Sequence, residues 1–173
     1  DGIVVKSSPI VADLNSDGVK EIYFGSDNEA LHGYNSFGEE VDGFPFQSTD
    51  RVRSSPAVGD VDNDGQMEIV FGNSSGKLYV VNHDGAQQLA YTILGFIEGT
   101  PALVDVDGDQ DLEIVFTTTT TSGGQLYAIH HSGITMSGFP KELGSMWTGP
   151  AVHDIDNDGI HDIVCTTYDK EIY

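Results

Sequence analysis

Basic residues are scarce: seven lysines and arginines stand against 28 aspartates and glutamates, a formal charge of −21. Nucleic acid and anionic membranes call for a basic face, so neither is expected as a partner. No run of 18 or more apolar residues occurs, and no basic region followed by an apolar core opens the chain. Membrane insertion of this segment is therefore not expected, and a chain that starts at Asp1 is expected to be processed or internal. Cysteine occurs once, at Cys165, on a strand position that suits a small core residue. A sustained 3.6-residue apolar period is missing too. With 21 glycines and frequent Thr and Ser, the chain reads as all-β.

What is present is a repeat. An aspartate-rich loop begins at Asp13, Asp60, Asp105 and Asp154, so the period is 47, 45 and 49 residues. That spacing is the period of propeller blades. Each loop lies between a Pro-led run such as Pro56-Ala-Val and a β-branched run such as Glu68-Ile-Val-Phe, which predicts a hairpin. A third strand is predicted over 31–38, 78–85 and 126–133. A weaker fourth is predicted over 41–46, 89–93 and 136–140, where proline is tolerated only at a sheet edge. Four antiparallel strands per unit make a β-propeller blade. The units are 1–48, 49–95, 96–144 and an incomplete 145–173, about three and a half blades. Because Glu171-Ile-Tyr173 matches the opening of a third strand, completion by the rest of a longer chain or by another subunit is expected.

The loops have the composition of a cage for a hard cation, which takes six to eight oxygen ligands. Sixteen of the 28 acids fall in them. Asp, Asn and Gly also suit plain turns. An acid at nearly every alternate position, in four copies, goes beyond what a turn needs, because two carboxylates about 4 Å apart repel by roughly 4 kcal/mol at an effective dielectric near 20. An EF-hand is excluded: position twelve is Phe24, Phe71, Phe116 or Cys165 rather than Glu, and the flanks are strands.

These residues resemble the FG-GAP repeats of integrin α-subunit propellers and their bacterial relatives, including VCBS-type repeats. The likeness rests on Phe24-Gly25 and Phe71-Gly72, on the triplets Ser54-Ser55-Pro56, Gly99-Thr100-Pro101 and Thr148-Gly149-Pro150, and on the nine-residue loop between them. Units three and four depart from it, with Phe116-Thr117 and Cys165-Thr166. The resemblance implies calcium held by side chains at positions one, three, five and nine and by the carbonyl at position seven, up to four ions in all. In loop one these are Asp13, Asn15, Asp17, Val19 and Glu21, and in loop two Asp60, Asp62, Asp64, Gln66 and Glu68. In loop three they are Asp105, Asp107, Asp109, Asp111 and Glu113, and in loop four Asp154, Asp156, Asp158, Ile160 and Asp162. Asn15 takes one charge from loop one. Gln110 replaces a turn glycine in loop three, where positive φ is expected with strain.

The expected function is a non-catalytic, calcium-stabilised adhesion, scaffold or protein-interaction module with a protein or glycan ligand. Its place is extracellular or at the cell surface, a periplasm included, because extracellular calcium modules bind at about 10⁻⁴ to 10⁻³ M. The alternatives are a lectin, with Phe44-Pro45 and Phe139-Pro140 as candidate platforms, or a polysaccharide-active enzyme. An enzyme would break the repeat near the axis, whereas the deviations are mostly of loop length, and the only two arginines, Arg51 and Arg53, lie just before a first strand. The histidines, His130 and His131 among them, are expected at the surface.

Overall fold

The computed structural model describes residues 4–173. Its strands form three four-stranded antiparallel sheets and one two-stranded sheet. Blade one contains β1 (Ile10–Ala12), β2 (Glu21–Ser26), β3 (Ala30–Tyr34) and β4 (Phe46–Gln47). Blade two contains β5 (Ala57–Gly59), β6 (Glu68–Gly72), β7 (Lys77–Asn82) and β8 (Gln87–Thr92). Blade three contains β9 (Ala102–Val104), β10 (Glu113–Thr120), β11 (Gly123–Ile129) and β12 (Lys141–Leu143). β13 (Ala151–His153) and β14 (Asp162–Val164) pair alone, and an isolated bridge joins Thr166 to Ile172.

In each blade the strands lie in chain order, and the first strands touch one another: β1 meets β5, β5 meets β9, and β9 meets β13. They are the inner strands of an open, partial β-propeller. The fourth strands of blades one and three lie later than the predicted 41–46 and 136–140. Pro45 and Pro140 have no N–H for a ladder, so pairing begins only beyond them, at Phe46 and Lys141. Single bridges, Tyr34 to Glu40 and Ile129 to Thr135, lie just before the predicted tracts.

The core is layered between blades. Tyr23, Leu31, Phe44 and Val52 pack with Ile69, Phe71 and Tyr79 between blades one and two. Val70, Leu78 and Ile97 pack with Ile114, Phe116 and Tyr127 between blades two and three. A smaller layer of Val115, Leu126, Met146 and Cys165 follows. Burial pushes the Cys165 thiol pKa up, as expected of a small core residue.

One residue per blade locks each layer. Val52, Ile97 and Met146 each stand four positions before a blade proline, and all three are buried. The Val52 N–H donates to the Ser26 carbonyl and the Ile97 N–H to the Asn73 carbonyl, tying each segment to the preceding blade. Their side chains fill the space left by the glycine of each Phe-Gly pair. A Cβ on Gly25 would fall 2.3 Å from Val52 Cγ1, and one on Gly72 would fall 2.1 Å from Ile97 Cγ2. The Phe-Gly signature is thus a packing requirement. In blade three the corresponding residue is Thr117, whose hydroxyl donates to the Thr148 carbonyl at 2.7 Å, while the Met146 N–H donates to Thr119 Oγ1 at 3.2 Å.

Gly72→Ala is accordingly expected to cost about 1–3 kcal/mol of stability by overpacking. Ile97→Ala leaves a cavity and is destabilising by itself, but the double variant should lose less than the sum of the two single losses. Urea melts of the three variants measure both, and a neutral Gly72→Ala would contradict this packing account.

Candidate metal centre

All four acidic loops join the first strand of a blade to its second, so every predicted ligand lies at one end of the sheets. The loops fold alike because their aspartates cap their own backbone. In loop two the Asp64 and Gly65 N–H groups donate to the two Asp60 oxygens, both at 3.0 Å, and the Gln66 N–H donates to Asp64 Oδ1 at 2.8 Å. Loop one repeats this with Asp17, Gly18 and Val19, and loop four with Asp158, Gly159 and Ile160. The side chains of Val19 and Ile160 are exposed.

The ninth position closes each loop. The Val61 N–H donates to Glu68 at 2.9 Å, Val106 to Glu113 at 2.7 Å and Ile155 to Asp162 at 3.0 Å, while Leu14 serves Glu21. Glu21, Glu68 and Glu113 are each at most 4% exposed. A buried carboxylate needs donors or a cation. Burial pushes the Glu68 pKa up to about 7, and Asp62, Asp64 and Asp60 push in the same direction. Burial also raises Glu21 and Glu113, with Asp17 adding to the first and Asp107 to the second.

Three loops converge three carboxylates on one point, with ligand atoms within 4.8 Å of one another: Asp60, Asp62 and Glu68; Asp105, Asp107 and Asp109; Asp154, Asp156 and Asp162. In loop one Asn15 replaces an acid, and among the described residues no such trio forms there. Glu21 Oε2 in loop one, Asp62 Oδ1 in loop two and Asp111 Oδ1 in loop three are buried without a hydrogen-bond partner. Crowded carboxylates with orphaned oxygens fit a hard divalent cation, which would satisfy the oxygens and cancel the repulsion.

Loop three differs. Its left-handed residues are Gly108 (φ 84°) and Gln110 (φ 83°), whereas the other loops place Ser16, Asn63 or Asn157 and then a glycine at those positions. Gln110 does adopt the positive φ expected of a glycine. The fourth loop position also needs positive φ, a requirement the sequence reading did not register; Asn at 63 and 157 was its signal, because Asn tolerates that region. His130 and His131 are not free surface residues. His130 Nδ1 lies 3.1 Å from Glu113 Oε1 and 4.0 Å from Asp107 Oδ2, and His131 Nδ1 lies 2.6 Å from Asp111 Oδ2. They sit at and just beyond the end of β11, which the ladder places beside β10, a contact invisible from chain spacing.

Two outcomes are expected. Gln110→Gly should stabilise the fold by about 1 kcal/mol by removing left-handed strain, with or without metal, as a chemical melt would show. Glu68 in the calcium-free fold holds its proton up to about pH 7, against an ordinary 4.5 in the unfolded chain. That fold therefore loses stability as pH rises between those values. In EGTA, Glu68→Gln should melt above the unsubstituted chain at pH 8, with the gap closing by pH 5. In calcium the order should reverse. Parallel melting curves at both pH values would contradict the burial of Glu68.

The FG-GAP-like repeat model matches three overlapping stretches, residues 13–71, 60–116 and 105–165. No curated protein matches the chain. Among solved structures, the crystal structure of BBS1N in complex with ARL6DN, soaked with lead, matches with a TM-score of 0.70 at 12% identity, covering 100% of this chain and 53% of that one. The V. cholerae biofilm matrix protein Bap1 matches with a TM-score of 0.66 at 20% identity, covering 99% of this chain and 30% of that one. At such identities the likeness concerns the fold, and this chain spans about half or less of either neighbour. With the repeat model spanning residues 13–165, and with the glycine-filled layers and acidic hairpins in place, the chain belongs to the FG-GAP-like repeat family.

Proposed function

We propose that the chain is a calcium-stabilised, non-catalytic binding module that works outside the cytoplasm. The observation that carries this reading is the convergence of three carboxylates in each of three loops, beside buried carboxylate oxygens that find no donor. Without a cation each such loop stores repulsion; with one, the repulsion becomes a clamp on the hairpin between the first two strands. Calcium is favoured over magnesium because these flexible all-protein cages offer many oxygens, whereas magnesium demands near-octahedral geometry and keeps its waters. Loops one to four would use the ligand sets named from the sequence. Loop one is the weakest for want of an acid at Asn15, and loop three is modified by His130.

A structural role suits the position of the loops, at strand connections rather than in a cleft. Extracellular calcium concentrations fill sites of about 10⁻⁴ to 10⁻³ M, which cytosolic calcium leaves empty. A protein or glycan ligand is the partner class. In support, one structural neighbour is known in complex with another protein and a second belongs to a biofilm matrix. The outward faces of blade one, with Val11 and Ile22 exposed, and of blade four, with Ile155 and Ile172 exposed, suit a further blade from the same chain or another subunit.

The test is a thermal melt in calcium, in magnesium and in EGTA, with bound metal counted by elemental analysis. Each site at ten times its Kd adds about 1.4 kcal/mol, so three or four ions should add about 4–6 kcal/mol. A calcium-specific rise in melting temperature with three or four ions per chain is expected. No bound metal and no shift would reduce the loops to acidic turns.

A further inference from the structure

The residue three positions before the blade proline varies as sharply as its neighbours stay constant. It is Lys6, Arg53, Glu98 and Trp147 in the four units, and two positions earlier come Val4, Arg51, Phe96 and Ser145. These segments lead into the inner strands, at the end of the sheets opposite the acidic loops. The fold therefore gathers at one place residues that are far apart in the chain.

There, a concave pocket of about 230 Å³ is lined by Arg51, Arg53, Ser74, Phe96, Glu98 and Trp147. Arg53 forms its wall. It donates to both Asp27 oxygens, at 2.8 and 3.0 Å, and its Nη1 lies 3.8 Å from Glu98 Oε1. Ser74 Oγ donates to the same Glu98 oxygen at 3.2 Å. Phe96 is held by a two-way backbone bridge to Thr119, yet the residue is 39% exposed. Trp147 is 52% exposed. Arg51 is exposed and makes no ion pair among the described residues. Three of the seven cations of a chain with charge −21, Lys6, Arg51 and Arg53, thus stand in these segments. The Arg53 hydrogen bond holds the Asp27 carboxyl below its usual range, and the charges of Arg53, Lys6 and Arg51 act in the same direction.

We infer that this pocket binds a carboxylate-bearing sugar unit of an acidic glycan. The free Arg51 fork matches a carboxylate in two parallel hydrogen bonds. The exposed faces of Trp147 and Phe96 present flat apolar surface to the ring carbons, and Glu98 and Ser74 offer an acceptor and a hydroxyl to the ring alcohols. The volume is below the roughly 300–1,000 Å³ of sites for drug-sized ligands, so it takes one unit of a chain. The acidic loops do not forbid an anionic ligand, because at physiological salt charges more than about 8 Å away are largely screened. The inference rests on the reading of the chain as a binding module and names its ligand; it is independent of calcium.

Trp147 is the single tryptophan of the chain, so its fluorescence reports this pocket alone. The unsubstituted chain, in calcium at physiological salt, would be titrated with trigalacturonate and with the carboxyl-reduced neutral trimer. Saturable change with the acidic trimer is expected, with roughly ten- to a hundredfold weaker binding of the neutral one, the worth of a charge-assisted bidentate contact. Arg51→Gln should weaken the acidic trimer by the same factor and leave the melting temperature unchanged, since this side chain holds no partner. Equal binding of the two trimers, or an unaffected Arg51→Gln variant, would overturn the inference. A response to an aspartate-rich peptide but to neither trimer would overturn the sugar and leave the binding-module reading standing. Silence from all three probes in a chain whose calcium-dependent melt persists would remove the pocket alone.

Discussion

The partial propeller depends on close approach between blades near the axis. Sheets stacked about a common axis converge towards it, so the inner contacts have room for very little. The chain meets this with glycine at positions 25 and 72, into which Val52 and Ile97 insert, and with small residues before each proline. Gly99 lies against the Thr148–Gly149 backbone, Ser54 Oγ donates to the Gly99 carbonyl, and the Ser8 N–H donates to Ser55 Oγ. These contacts fix the angle between blades, and that angle decides where the acidic loops and the variable segments point.

The acidic loops carry two demands on the same side chains. Their aspartates must accept backbone N–H groups to shape a nine-residue turn, and in doing so they are drawn together until they repel. The ninth residue resolves this only in part: it caps the second N–H of the loop and becomes a buried carboxylate whose charge is costly. In blade three, His130 and His131 supply imidazole partners, which among the described residues the other loops do not have. That difference matches the departure of the loop in backbone, where Gln110 takes the left-handed position of a glycine.

Much of this was legible. The period, the hairpin around each loop, the third strand and the all-β class follow from spacing and from β-branched runs, which are local signals. The fourth strands of blades one and three were displaced by a few residues because a proline resets where a ladder can begin, and hydropathy does not record that. Phe44, a candidate platform from its Phe-Pro pair, proved buried against Tyr23 with ring centroids 5.0 Å apart. His130 reads as a surface residue in the chain because its partners, Glu113 and Asp107, lie 17 and 23 residues back. The small-residue triplets were visible as a signature, but their reason was not, since it lies in atoms of the next blade.

The repeating unit of four strands, an acidic turn and a proline-led inner strand can be read from residues alone, because short-range backbone chemistry acts the same way in every copy. What each copy faces depends on the packed fold. Glu21-Ile-Tyr-Phe and Glu68-Ile-Val-Phe are nearly the same words, yet Ile22 is exposed on the outward face of blade one while Ile69 is sealed between two blades. In the same way Arg51, Glu98 and Trp147 are ordinary surface residues in the chain and become one pocket only when adjacent blades bring them together. Burial and convergence depend on neighbours in space, and a repeating sequence does not say which of its copies will have them.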